Sequence, residues 1–181
     1  MGNALSSLRN SAPSSLSQMI TPEVTDFAKR SILAWLATVD ASGCPNVSPK
    51  EVFAVFESRC FVIANIASPT SARNLAENSQ ACLSFVDLFV QKGFKVKGRA
   101  EVIARDRDDF TLWAAPLEEI TQGRFPIRSV IVLRPDSIEP IVAPSYRLYP
   151  SETTEESQVM AAMKAYGVVS AAQDRIGKPS P

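Results

Sequence analysis

The strongest constraint on this chain is a succession of short apolar segments, each closed by turn chemistry. Ile32 to Val39 ends at Asp40-Ala41-Ser42-Gly43, and Asn46 to Phe56 ends at Glu57-Ser58-Arg59. Cys60 to Ile66 follows at once, and Ala81 to Val90 meets Phe94 to Ala104 through Gln91-Lys92-Gly93. Apolar runs this short, flanked by turn residues, read as strands. Connectors this short join antiparallel neighbours, because a parallel pair needs a crossover of a dozen residues or more. Hairpin-linked strands of this number close into a small barrel more readily than they build a parallel sheet.

Helices punctuate the strands. Thr21-Pro22-Glu23 supplies an N-cap, a first-turn proline and an acidic complement to the helix dipole, and predicts a helix to about Ser31. Ser68-Pro69-Thr70-Ser71 opens a second helix through Asn78, with Ser68 as N-cap, and Asp106 to Gln122 reads as a third, interrupted near Pro116. Thr153-Thr154-Glu155-Glu156 predicts a capping box and a C-terminal helix to about Tyr166. Between them, Ser129 to Leu133 is a β-branched strand and Ile141-Val142 a separate apolar piece. Trp35, with apolar neighbours on both sides, is expected in the core. The expected division is an N-terminal arm over 1–18, one domain over 19–150, and a C-terminal helix and tail over 151–181.

Composition removes several functions. Nineteen basic residues balance nineteen acidic ones, so no global field attracts nucleic acid or an anionic membrane, and any anion site must be local. The chain has no histidine, which argues against hydrolase triads and zinc sites; no metal is expected. Cys44, Cys60 and Cys82 are widely spaced and odd in number, which fits a reducing cytoplasm rather than a disulfide framework. No apolar run is long enough to span a bilayer. Met1-Gly2-Asn3-Ala4-Leu5-Ser6 matches an N-myristoylation pattern, but a match this short reads first as a loose leader.

Three polar interruptions break the apolar framework between Pro45 and Gly98. Ser48 and Lys50 alternate on one face of a strand that Pro49 confines to an edge or a bulge; taken alone, they read as its solvent face. Thr70, Ser71 and Arg73 sit at a helix start, where free backbone N–H groups, the dipole and a guanidinium together favour phosphate. Gln91 and Lys92 occupy a turn. Hydroxyls, cations and an amide in this arrangement suit a flat, anionic, polar-edged cofactor.

These residues resemble a family. Leu36-Ala37-Thr38-Val39-Asp40 with Gly43-x-Pro45, then Arg73-Asn74-Leu75 with Asn78, then Gln91-Lys92-Gly93-Phe94-Lys95-Val96-Lys97-Gly98-x-Ala100 look like the pyridoxamine 5'-phosphate oxidase-like proteins over about Ser31 to Glu139. The resemblance implies a mainly β, α+β fold: a split β-barrel of about six antiparallel strands with short connecting helices and a C-terminal helix. It also implies FMN held at the interface of a homodimer. Ser48, Pro49, Lys50, Glu51 and Val52 match the strand lining the flavin, with Lys50 a partner for ring or phosphate. Ala64 and Asn65 match the next strand end, Ser68, Thr70, Ser71, Arg73 and Asn74 the phosphate turn, and Gln91 with Lys92 the flavin edge. The family's oxidases carry a basic residue where Ser48 stands, a Ser-Arg-Lys phosphate turn where this chain has Ser68-Pro69-Thr70-Ser71-Ala72-Arg73, and a late arginine and histidine; this chain has no histidine.

The function expected is an FMN-dependent oxidoreductase of undefined substrate, with a small molecule or a nicotinamide as electron partner and the cofactor doing the redox chemistry. A non-catalytic FMN carrier, sensor or electron-transfer module is the alternative, since fold does not fix function. Haem or a deazaflavin in the same barrel ranks third.

Overall fold

The computed structural model describes residues 20–169. The expected arm over 1–18, its acylation pattern and the end of the tail lie outside the described residues. In order, the elements are α1 (Pro22–Arg30), β1 (Ala34–Val39), β2 (Pro45–Lys50), β3 (Phe53–Phe56), β4 (Cys60–Asn65), α2 (Pro69–Glu77), β5 (Gln80–Asp87), β6 (Lys92–Ala104), α3 (Phe110–Thr121), β7 (Ser129–Val142), α4 (Ser145–Leu148) and α5 (Glu155–Tyr166). The strands form one antiparallel sheet in the order β2-β1-β5-β6-β7-β4-β3.

β2 and β3 follow one another in the chain yet stand at opposite ends of that order, so the sheet curls round to bring its two ends together as a split barrel. The segment expected as one strand from Asn46 to Phe56 breaks at Glu51-Val52 and serves both ends, which makes seven strands rather than about six. Pro49 sits in the end strand β2 opposite Trp35, where its missing N–H costs no second ladder bond.

Two clusters of side chains fill the fold. Leu36, Phe61, Leu83, Phe85, Val96 and Leu133 pack inside the barrel, and Phe85 lies within 6.3 Å, centroid to centroid, of the Phe53, Phe61 and Phe94 rings. Val62, Ile103, Val130 and Val132 join Phe110, Ala114 and Leu117 of α3 in a second cluster on the opposite face. β4 and the first half of β7 are therefore buried on both sides, which is why they read as unbroken apolar runs. β1 is buried on one face only. Trp35, expected in the core, points outward and is 47% exposed, because alternate residues of a strand face opposite ways whatever their neighbours are.

Other boundaries moved for identifiable reasons. The strands expected from Ile32 and through Val90 begin at Ala34 and end at Asp87, whose carboxylate Oδ1 accepts the Phe89 N–H at 3.0 Å and turns the chain. α3 starts at Phe110 rather than Asp106 and carries Pro116 within it. The capping box of α5 forms one residue later than expected, between Thr154 and Ser157. β7 is one strand of 14 residues. β4 pairs only with its Ser129–Leu133 portion, so Pro135 and Pro140 fall where the β4 side is open. A bulge at Asp136 shifts the register against β6 between Lys97 and Gly98, and a Cβ at Gly98 would collide with the Arg134 carbonyl.

Candidate functional site

The site lies where α2 crosses the β1–β2 pair. Pairing of Thr38 with Asn46 and of Leu36 with Ser48 sets Thr38, Asn46, Ser48 and Lys50 on the inner face. Ser71, in the first turn of α2, brings its Oγ to 3.0 Å from Ser48 Oγ. Asn46 Nδ2 lies 3.3 Å from Thr38 Oγ1, 3.3 Å from Ser48 Oγ and 3.4 Å from Ser71 Oγ, and Asn74 Nδ2 donates to Thr38 Oγ1 at 3.2 Å. This neutral network fastens the helix to the strand. Ser71 and Asn74, expected as cofactor contacts, are buried, Ser71 completely, and their side chains bond within this network. The sequence reading passed over Thr38 and Asn46 as polar partners; only their register reveals them.

The end of β4 plays a similar part. Ala64 and Asn65 are buried, the Ala64 N–H bonding the Val52 carbonyl at 2.9 Å. Asn65 Nδ2 donates to Ser129 Oγ at 3.0 Å, while its Oδ1 accepts the Ser68 N–H at 3.3 Å. Asn65 thereby aims the chain into α2.

What stays accessible is the start of α2 and one lysine. Ser68 occupies the N-cap position and Pro69 the first turn, as expected, but the Ser68 side chain makes no capping bond. Thr21 in α1, by contrast, accepts the Val24 N–H. The Arg73 guanidinium is exposed, donates to Thr70 Oγ1 at 3.3 Å, and shares with Thr70, Cys44, Asn46 and Glu77 a polar groove of about 430 Å³. Lys50 is not on a solvent face: it is only 4% exposed, and burial pushes its amine below the ordinary lysine value of 10.5. It makes no ion pair or hydrogen bond among the described residues. No fully enclosed side-chain nitrogen there lacks a partner, so the Lys50 stem is buried while its Nζ tip touches solvent. Glu51 is exposed and Val52 half-buried at the strand break.

Gln91 and Lys92 are not brought to this cluster within one chain. Gln91 precedes β6 and Lys92 begins it, three strands from β2, whereas the row through Ser48 crosses β6 at Val96. Gln91 adopts a left-handed φ of 55°, and Lys92 Nζ bonds Glu155 at 2.7 Å above the Tyr146 ring. Among the described residues no group of three acidic, histidine or cysteine side chains is placed to hold a metal, and no helix is long and apolar enough to cross a membrane.

Known proteins with this architecture carry related names. HupZ of Group A Streptococcus superposes with a TM-score of 0.59 at 25% identity over 69% of this chain and 96% of its own. A candidate pyridoxamine 5'-phosphate oxidase of Lactobacillus delbrueckii gives 0.57 at 26% identity, over 67% and 93%. HutZ, the haem storage protein of Vibrio cholerae, gives 0.54 at 25% identity, over 68% and 94%. No curated protein matches the sequence. The family model for pyridoxamine 5'-phosphate oxidase matches residues 20–141, which span α1 and nearly the whole sheet that shapes the site. The chain belongs to the pyridoxamine 5'-phosphate oxidase family.

Proposed function

We propose that this protein binds FMN and works as a flavin-dependent oxidoreductase. The observation that carries the reading is the uncapped start of α2 with Thr70 and Arg73 beside it, in a family whose name is that of a flavin oxidase. A helix start without a side-chain cap has backbone N–H groups and the positive dipole end available for a phosphate. Thr70 and Arg73 would hold the phosphate, in a groove that Asp40 and Glu77 also line, and Lys50 with the strand break at Glu51-Val52 would meet the ring. When bound, the flavin supplies hydride transfer; the chain's residues orient it and exclude water. Ser48, bonded to Ser71, stands where the family's oxidases are expected to carry a cation, so oxidation of a vitamin phosphate is not part of the proposal.

The reading includes a homodimer with flavin between the copies. The outer face of β1 and β2 supports it, since Trp35 and Val47 are exposed there between Pro45 and Pro49. A second copy would also return Gln91 and Lys92 to the site. Three free cysteines fit a cytoplasmic setting.

Haem is the second reading, because HutZ, similar at 25% identity, is a haem storage protein. This chain has no histidine, so tyrosine, cysteine or methionine would have to ligate the iron. The absorption spectrum of purified protein, alone and after addition of FMN or haemin, separates the two. A flavin spectrum bleached by NADH or NADPH under nitrogen supports the oxidoreductase, and a Soret band alone overturns it. Arg73→Ala should weaken FMN binding by about 1.5–3 kcal/mol, the strength of a charge-assisted hydrogen bond.

A further inference from the structure

We propose that residues 1–19 of this chain lay an extended segment along the open edge of β3, with Leu16 seated in the groove between α1 and α3. The inference is independent of the flavin reading.

β3 stands at one end of the sheet and pairs only with β4 among the described residues. The Ala64 N–H bonds the Val52 carbonyl, and the register then directs the backbone groups of Ala54 and Phe56 towards β4. Alternation along an antiparallel strand leaves the N–H and C=O of Phe53 and Val55 facing the other way. A strand edge of this kind accepts a further extended chain through main-chain hydrogen bonds.

That edge lies in a recess. Phe53 belongs to the cluster inside the barrel and Ala54 packs against the cluster on the opposite face, yet both line one groove of about 470 Å³ whose sides are α1 and α3. A groove that touches both faces of a strand runs along its edge. Its lining is largely apolar. Ile32, just past α1, is 85% exposed and Ile120 of α3 is 51% exposed, and Val55 and Pro116 line the same groove. Backbone groups flanked by an apolar pocket suit an extended segment that carries one apolar side chain.

Attachment, charge and tethering select the occupant. Ile20 is 2% exposed and its N–H bonds the Ser58 carbonyl at 2.9 Å, so the chain before it sets out from the turn that closes β3. Val55 stands three residues before Ser58, at most about 10 Å away, and Leu16 stands four residues before Ile20, up to about 13 Å when extended. Leu16 therefore reaches the groove. Arg9 is the only charged side chain in residues 1–19, whereas Glu51 and Glu119 outnumber Lys29 around the groove, so the charges are complementary. A second copy presents the same recessed edge, and two recesses cannot meet edge to edge. A peptide from another protein competes against a tethered segment whose effective concentration is on the order of millimolar.

The test is amide hydrogen exchange by NMR on the full chain, for wild type, Leu16→Asp and Ile120→Asp. Both substituted side chains lie outside the flavin site, and Ile120 is exposed, so the fold should survive; unchanged exchange at Ala54 and Phe56, which bond β4, checks that it has. The expected result is that the Phe53 and Val55 amides exchange roughly tenfold or more slowly in wild type than in either variant, at every protein concentration. Trypsin cleavage after Arg9 should quicken in both variants. Equal exchange at Phe53 and Val55 in all three proteins overturns the inference. Protection that disappears on dilution overturns it too, because the strand on the edge would then come from another molecule.

Discussion

Ser48 Oγ and Ser71 Oγ stand 3.0 Å apart, joining the end strand of the sheet to the first turn of the helix beside the candidate site. Ser71 is fully enclosed, and Asn46 Nδ2 bridges both hydroxyls. Ser71→Ala strands part of that network and should cost about 1–3 kcal/mol, the penalty of leaving buried polar groups short of a partner. Ser48→Ala and the double variant complete a cycle whose combined cost should fall short of the sum by at least about 0.5 kcal/mol. Urea unfolding checks this; strict additivity would show that the two hydroxyls do not support one another.

Lys50 predicts a pH dependence without any ligand. Its amine is depressed below 10.5 in the folded chain and returns to that value on unfolding. The unfolded state therefore binds more protons between the two values, and wild-type stability gains from rising pH in that interval. Below it the penalty is constant. Lys50→Met, which never carries the charge, should be more stable than wild type at neutral pH, with an advantage that shrinks as pH approaches 10.5. Denaturant midpoints at several pH values check the sign; an advantage that grows with pH would mean the folded chain favours the charged amine.

Much of this was legible in the sequence, and the limits follow from what local pattern can encode. Turn residues located the hairpins, and Thr21-Pro22 and Ser68-Pro69 located two helix starts within a residue. The break at Glu51-Val52 left no clear mark, because it is set by closure of the sheet between its two end strands. Trp35 and Lys50 exchanged expectations for one reason: both sit on strands with a single buried face, and inward or outward depends on a register that composition does not carry. The site divided likewise. That Thr70 and Arg73 stand in the first turns of a helix was readable from helix-start chemistry. That Ser71 and Asn74 spend their polar groups on Ser48, Asn46 and Thr38 depends on long-range pairing.

Gly98 is required by its neighbour across the sheet. It opposes the bulge in β7, and any Cβ there would meet the Arg134 carbonyl. Gly98→Ala must push two strands apart and should cost at least about 1–3 kcal/mol, as overpacking does elsewhere. In an exposed loop the same change is near neutral or stabilising. Gly43, at a φ of 87° with nothing within 4 Å of its would-be Cβ, separates strain from clash: Gly43→Asn should cost less than Gly98→Ala, because Asn tolerates the left-handed region. Thermal melts of the two variants check the order.

Trp35 tests the proposed dimer. It is 47% exposed beside Val47 at 57%, and Pro45 and Pro49 flank them on an outer face that no described helix covers. Large apolar side chains clustered on a sheet face mark an interaction surface, and a two-fold pair of copies would bury the same patch twice. Trp35→Glu would place a carboxylate against its own symmetry mate or against apolar surface. Since Trp35 faces away from the barrel interior, the substitution should leave the monomer folded, with thermal stability at high dilution changed little, while sedimentation velocity shows a shift from dimer to monomer. On the proposed dimer, in which a second chain would bring Gln91 and Lys92 to the site, FMN binding should fall in parallel. Wild-type protein sedimenting as a monomer while binding FMN fully would overturn the interface and place the whole flavin site within one copy.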